Sequence, residues 1–390
     1  MSSFERGTVC APSQVFEFIQ HVMQFNLQSV KSGGDRLVGC IWGVAGISKT
    51  SVIKQLETRG VLLDGEVVKP KVVHIALAQI EESGDLTGLP EVRVNKETGE
   101  HYTDYAPPKW WPTSEEPTVL LFDDFNRADP RILKAIMQIL QDYRSNVCDL
   151  PKNTHIMLTG NPSGDDYMVN EIDKAILTRM LHITMKFDKI DWAKWATEVG
   201  VDKRVINFAL RYPELCDGTH GTRTNPRSVV QFANLISPIS DLKSSPLLSV
   251  LSRSCLDDDV ATAFEKFVVG GLQELVDPED ILNNYDTAIK KVETLAKGRG
   301  GKPRTDLIGI IVDRFFVYLM QDGVTKLSDK QKDAFVSFIK RTDILPQDLM
   351  YTLLRRLRKE GMATEAKNKF ILDLVTYGGD ELADLIMQIV

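Results

Sequence analysis

The sequence predicts an α/β protein in which a parallel sheet, covered by helices, is followed by all-helical segments. Three observations carry the prediction. The run Gly43-Val44-Ala45-Gly46-Ile47-Ser48-Lys49-Thr50-Ser51 ends an apolar strand, Leu37 to Trp42, and opens a helix. A second apolar run, Thr118 to Phe122, ends in Asp123-Asp124. Strand and helix patterns alternate through roughly the first 185 residues, and helical patterns take over beyond them, the order expected of a sheet wrapped in helices.

Taken along the chain, a first amphipathic helix spans about Pro12 to Val30, with Val15, Phe18, Ile19, Val22 and Phe25 on one face and Ser32-Gly33-Gly34 after it. The helix after the glycine-rich loop runs from Ser51 to about Thr58. Lys71 to Ala78 is the next strand, and a further helix is expected near Gln79. Val92 and Val94, the turn at Glu97-Thr98-Gly99, then Tyr102 and Tyr105 before Pro107-Pro108, read as a β-hairpin interrupting that helix. Asp129 and Pro130 are N-cap and first residue of a helix reaching Tyr143, and Thr154 to Thr159 forms another strand before Gly160-Asn161-Pro162. Beyond Asp188, helices are read over Trp192 to Val199, Lys203 to Arg211, Pro226 to Ile236 and Asp306 to Met320. Ser328 leads another, with Gln331 completing a capping box, and Pro346 to Lys359 is stopped by Gly361. The basic run from Lys297 to Arg304 reads as a solvated linker.

A loop of this kind between strand and helix is a phosphate-binding loop, whose backbone N–H groups turn inward on the anion. Lys49 would reach the β- and γ-phosphates and the Thr50 hydroxyl would ligate Mg²⁺. Ser48 stands where glycine usually precedes the lysine, a tolerated change if the backbone there needs no positive φ. The Asp123-Asp124 pair lies at the C-terminal end of a buried strand, where α/β sheets bind ligands. Asp123 would hold Mg²⁺, directly or through water, and Asp124 would orient and polarise an attacking water.

At 390 residues the chain exceeds one ordinary core, so two or three domains are expected. Hydrophobic content of 43% and charged content of 26% describe a folded chain. A net charge of -7 argues against a large sequence-independent grip on nucleic acid. The five cysteines and six histidines show no metal-ligand spacing. Met1 to Arg6 lacks the basic-then-apolar layout of a signal peptide, and no apolar run approaches the ~18 residues of a membrane span. A reducing cytoplasm is the expected compartment.

In this order the motifs resemble those of the AAA+ ATPases, and within them the MoxR family. Leu121-Phe122-Asp123-Asp124-Phe125-Asn126-Arg127-Ala128 is similar to that family's Walker B signature, and Thr159-Gly160-Asn161-Pro162 to its sensor 1. Ile172 to Arg179 resembles the segment that ends in the arginine finger, and Thr224-Asn225-Pro226-Arg227-Ser228 resembles sensor 2. The resemblance implies that Asn161 positions the lytic water, that Arg179 reaches the γ-phosphate held by a neighbouring subunit, and that Arg227 closes over the same phosphate. It also implies a core over 1–187 with a helix-2 insert at about 86–111 and a helical lid over 188–272; it covers about the first 270 residues, and the helical pattern beyond them reads as a further domain of unknown role over 273–390. Asn225 as N-cap and Pro226 as first helical residue put Arg227 at a helix start. Two positions depart from the family pattern: Asp124 for glutamate, one methylene shorter, and Thr178 for the aspartate before the finger.

The expected protein is therefore a ring-forming ATP hydrolase, a hexamer by family habit, that uses ATP and Mg²⁺ to remodel a protein client. A von Willebrand factor A domain protein is the partner the resemblance implies. Two rivals stand beside it: a clamp-loader or helicase-type ATPase acting on DNA through Arg355, Arg356, Arg358 and Lys359, and an ATP-binding scaffold with negligible turnover.

Overall fold

The structure, a computed structural model, describes residues 6–145, 148–162, 169–170, 172–270, 275–297, 304–321, 323–361 and 365–379. The basic run read as a linker lies, over 298–303, outside the described residues. The chain divides into two compact units, Met1–Phe187 and Asp188–Val390.

The first unit is built on strands β1 (Thr8–Cys10), β2 (Val38–Trp42), β5 (Lys71–Ala76), β8 (Thr118–Asp123), β9 (Thr154–Gly160) and β10 (Met180–Met185). Two hairpins, β3 (Val61–Leu63) with β4 (Glu66–Val68) and β6 (Leu89–Val94) with β7 (His101–Ala106), stand apart from the main sheet. Its helices are α1 (Pro12–Lys31), α2 (Lys49–Lys54), α3 (Leu56–Arg59), α4 (Gly84–Thr87), α5 (Pro130–Asp142) and α6 (Lys174–Leu177). The α/β class expected from the sequence is the one observed: six strands in the order β1-β10-β2-β9-β8-β5, each pair parallel.

Alternation along the buried strands makes two cores. Leu120 and Phe122 of β8 pack with Ile132, Ile136 and Ile139 of α5, whereas Val119 and Leu121 join Val15, Ile19 and Val22 of α1 and Ile53 of α2. Successive side chains of a strand point to opposite faces, so a strand covered on both sides must be apolar throughout. In β8 that holds from Val119 to Phe122, all fully buried. Sheet order matters for function because β2 lies between β9 and β10, with β8 beyond β9. The register sets Trp42 beside Gly160 and Ala76 beside Asp123, so the loops leaving β2, β8 and β9 emerge together at one end of the sheet.

Several expectations are corrected here. The helix expected near Gln79 is replaced by a single 3-10 turn, Leu77–Gln79, and the short α4. The helix after the loop breaks at Gln55 into α2 and α3. The hairpin in the insert is present, with Val92 opposite Thr103, its turn closed from Asn95 to Glu100 at 2.8 Å and Gly99 at φ +73°.

The second unit contains α7 (Lys189–Glu198), α8 (Lys203–Arg211), α9 (Pro226–Ile236), α10 (Leu248–Cys255) and α11 (Asp258–Val269). After these come α12 (Pro278–Asn283), α13 (Tyr285–Lys297), α14 (Thr305–Leu319), α15 (Asp329–Ile339), α16 (Gln347–Gly361) and α17 (Glu365–Tyr377). Gly361 is the last residue of α16 and lies within it. Helix α14 is apolar nearly all round and buried, as a central helix must be. Its two buried charges are paired: Asp313 accepts from Lys189 of α7 at 2.6 Å and from Arg356 of α16, and Arg314 donates to Asp277 and to the carbonyl of Val276. Each pair satisfies a charge that would be costly to bury alone.

Candidate functional site

The loop after β2 is shaped by two residues in the left-handed region, Gly46 at φ +77° and Ser48 at φ +79°. Glycine adopts this conformation freely, but a residue with a Cβ is strained there by about 1–2 kcal/mol. The expectation that Ser48 needs no positive φ is therefore overturned. The tight path carries the chain into α2, whose first residue is Lys49.

Lys49 is 5% exposed, and its ammonium donates to the carbonyls of Gly43 (2.8 Å) and Val44 (3.1 Å) and to Asn161 Oδ1 (3.0 Å). The same Asn161 side chain gives its Nδ2 to Asp124 Oδ1 at 2.8 Å. One buried amide thus joins the lysine at the start of α2 to the second aspartate of the pair. Asn161 is itself held by Asn126, which donates to its carbonyl at 2.8 Å and accepts its N–H at 3.0 Å. Gly43 N–H donates to Gly160 O at 3.2 Å and binds the two loops directly.

Asp123 accepts from Thr50 Oγ1 at 2.8 Å, from Thr159 Oγ1, and from His74 Nε2 at 2.9 Å. Burial pushes this carboxyl up, but the hydrogen bonds from Thr159, His74 and Thr50 outweigh it and hold the group below the usual carboxylate range. It is therefore a carboxylate at neutral pH. A threonine hydroxyl beside an ionised carboxylate offers hard oxygen donors, which suit Mg²⁺. Asp124 sits in the left-handed region at φ 50°, a conformation aspartate tolerates better than most residues, and its N–H donates to Thr159 Oγ1 at 3.0 Å.

The expected residues Gly43, Val44, Ala45, Gly46, Ile47, Ser48, Lys49, Thr50 and Ser51 form one loop and helix start. Lys49, Thr50, Asp123, Asp124 and Asn161 are brought together, whereas Arg179, in the same unit, makes no described bond to them, and Arg227 belongs to the second unit. Arg179 donates from Nε and Nη2 to Gln141 Oε1 of α5 at 3.1 and 2.9 Å, and from Nη1 to Ala175 O. Arg227 is exposed at the start of α9 in the second unit, where Asn225 Oδ1 caps its N–H at 3.0 Å. Sequence reasoning missed His74, Thr159 and the clamp formed by Asn126. The available signal for His74 was a histidine in an otherwise apolar strand, two residues from its end.

A further hydrogen-bonded chain leaves the loop sideways. Trp42, the last residue of β2, donates from its indole to His182 Nδ1 at 2.9 Å, and His182 Nε2 lies 2.8 Å from Leu177 O. An indole N–H can only donate, so Nδ1 accepts and Nε2 carries the proton given to Leu177.

No family model matches the chain, and no curated protein matches it. Among solved structures it is similar to a candidate ATPase from Cytophaga hutchinsonii, with 14% identity, 88% of each chain covered and a TM-score of 0.31. It is also similar to the RuvB Holliday junction branch migration motor of Thermotoga maritima, with 13% identity over 75% of this chain and 86% of that one, at a TM-score of 0.32. A full-length MCM homolog from Methanopyrus kandleri gives 13% identity over 42% of this chain and a TM-score of 0.29, and the match spans only 33% of that protein. Likenesses this distant carry no weight for function.

Proposed function

We propose that the chain is a ring-forming AAA+ ATPase of MoxR type that hydrolyses ATP between subunits to remodel a protein client. The observation that carries the reading is the single network in which Asn161 touches both Lys49 and Asp124 while Thr50 touches Asp123. Such a site holds phosphate with one end and presents a carboxylate for water with the other.

In this reading Lys49 leaves its backbone carbonyls for the β- and γ-phosphates, and Thr50 and Asp123 hold Mg²⁺. The ion, when bound, neutralises charge on the phosphates. Asp124, aligned by Asn161, takes the hydrogen bond of the attacking water and orients it in line. Arg179 serves a neighbour's site, which is why its bonds to Gln141 and Ala175 need not point at its own loop, and Arg227 is assigned the lid role. A hexameric ring, a cytoplasmic setting and a von Willebrand factor A domain client are carried over from the resemblance. The DNA-acting alternative loses part of its footing because Arg356 is paired with Asp313. The scaffold alternative draws on the strained Ser48 and is separated by turnover.

Two variants test the reading. Lys49→Ala should lower ATP affinity by at least about a hundredfold, since it removes the buried cation while leaving strand and helix intact. Asp124→Asn should bind ATP as the parent does and lose about a hundredfold or more in turnover. Parental ATPase rates in Asp124→Asn, or negligible turnover in the parent itself, would defeat the hydrolase reading.

A further inference from the structure

The loop entering α9 is gathered onto one carboxylate from the start of α11. Asp257 accepts the backbone N–H groups of Thr222 at 3.3 Å, Arg223 at 3.1 Å and Thr224 at 2.8 Å. It returns the contact, its own N–H donating to Thr224 Oγ1 at 2.8 Å. Arg223 adds a bond from Nη1 to the carbonyl of Arg253 at 3.1 Å. Gly221 opens the loop at φ +74°, and a Cβ placed there would collide with the Asp257 carboxylate. Only a glycine lets the chain wrap so closely. The carboxylate is mostly buried, with 15% of the side chain exposed. Burial pushes it up, but the N–H groups of Thr224, Arg223 and Thr222 together bring it down to about 2. Directly after Thr224, Asn225 caps α9 and Arg227 projects from its first turn. Only the cap Asn225 and the first helical residue Pro226 separate the anchored Thr224 from Arg227, and cap and helix geometry fills the gap.

We propose that Asp257 is the positioning residue for Arg227: by drawing the backbone of residues 222–224 onto its carboxylate it fixes the direction in which α9 starts and Arg227 leaves it. This rests on the reading of Arg227 as an arginine that senses the γ-phosphate. A residue acting through Arg227 must share its selectivity for triphosphate over diphosphate, which a purely structural residue has no reason to do.

The test measures ATP and ADP affinity by equilibrium fluorescence for Arg227→Ala, Asp257→Ala, Asp257→Asn and the double alanine variant of the full chain. Loss of Arg227 should weaken ATP about tenfold and leave ADP unchanged, and Asp257→Ala should do the same, each equivalent to one charge-assisted contact. Asp257→Asn keeps one acceptor oxygen and the side-chain shape, so an intermediate loss of about threefold is expected, and it stands in if the alanine variant fails to fold. The double variant should be no worse than Arg227→Ala alone. The proposal is overturned if the two losses multiply, if Asp257→Ala and Asp257→Asn keep the parental ATP-to-ADP ratio, or if they weaken ATP and ADP equally. An unchanged ratio in Arg227→Ala itself is a separate failure, since it removes the assigned role of Arg227 and the positioning claim with it.

Discussion

Ser48 shows how one side chain can stand against its own backbone. The loop path demands φ +79° there, and the residue supplies a Cβ that crowds the following carbonyl. Ser48→Gly would remove about 1–2 kcal/mol of strain and return about 0.5–1 kcal/mol of it to the unfolded chain, whose freedom rises with glycine. The expected result is a net gain of about 0.5–1 kcal/mol, read as a higher midpoint in thermal or urea unfolding. An unchanged or lower midpoint would show that the serine side chain contributes a compensating contact. At this scale the grouping of residues was legible and the conformation was not. Lys49, Thr50, Asp123 and Asp124 are singled out by residue type and spacing, and the fold brings all four together around Asn161 and Thr159. The need for positive φ at Ser48 was invisible, since it depends on how β2 and α2 are joined in space.

Among elements, legibility followed burial. Strands β2 and β8 are covered on both faces and read as apolar runs, β9 keeps an apolar centre from Ile156 to Leu158 between polar residues, and α8 and α9 are bounded by their own caps, Asp202 and Asn225. Strand β10 was missed because Leu181 is exposed and His182 half-buried, which breaks both the continuous and the alternating pattern. Strand β1 has only three residues, too few for any period. The central strand β9 also carries an unusual group: His155 is fully buried, and neither ring nitrogen has a hydrogen-bond partner among the described residues. Burial, and then the charge of Arg36, lower its pKa to about 4. The folded protein thus keeps this ring neutral while the unfolded chain protonates it below its ordinary value of 6.5. Its contribution is fully present above pH 6.5 and is lost as pH falls toward 4, by up to about 3 kcal/mol at 1.36 kcal/mol per pKa unit. His155→Leu should therefore lose less stability than the parent between pH 7 and pH 4.5, measured by urea unfolding at each pH. Parallel losses in the two proteins would mean that the buried histidine plays no part in acid sensitivity.

At the scale of the whole molecule, the assignment of Arg179 decides whether the functional unit is one chain or several. Its guanidinium is tied to Gln141 and Ala175 in its own subunit and makes no described bond to Lys49, Asp123 or Asp124. Arg179→Ala subunits should fold, bind ATP and hydrolyse it at least about a hundredfold more slowly than the parent, because an arginine finger acts only on the transition state. Mixing them with Asp124→Asn subunits creates interfaces where an intact site meets an intact finger, so part of the lost activity should return. No recovery across mixing ratios, with mixed assembly confirmed by mass, would make Arg179 a residue of its own subunit. If the finger reading holds, the hydrogen-bonded chain from Trp42 through His182 to Leu177 acquires a direction. Trp42 directly precedes the loop into α2, and Leu177 lies two residues before Arg179. A shift of the indole would pass through one imidazole to the carbonyl of Leu177 and so to the stretch of backbone that carries Arg179, giving the loop after β2 a mechanical line to the residue on which the joining of one subunit to the next would depend.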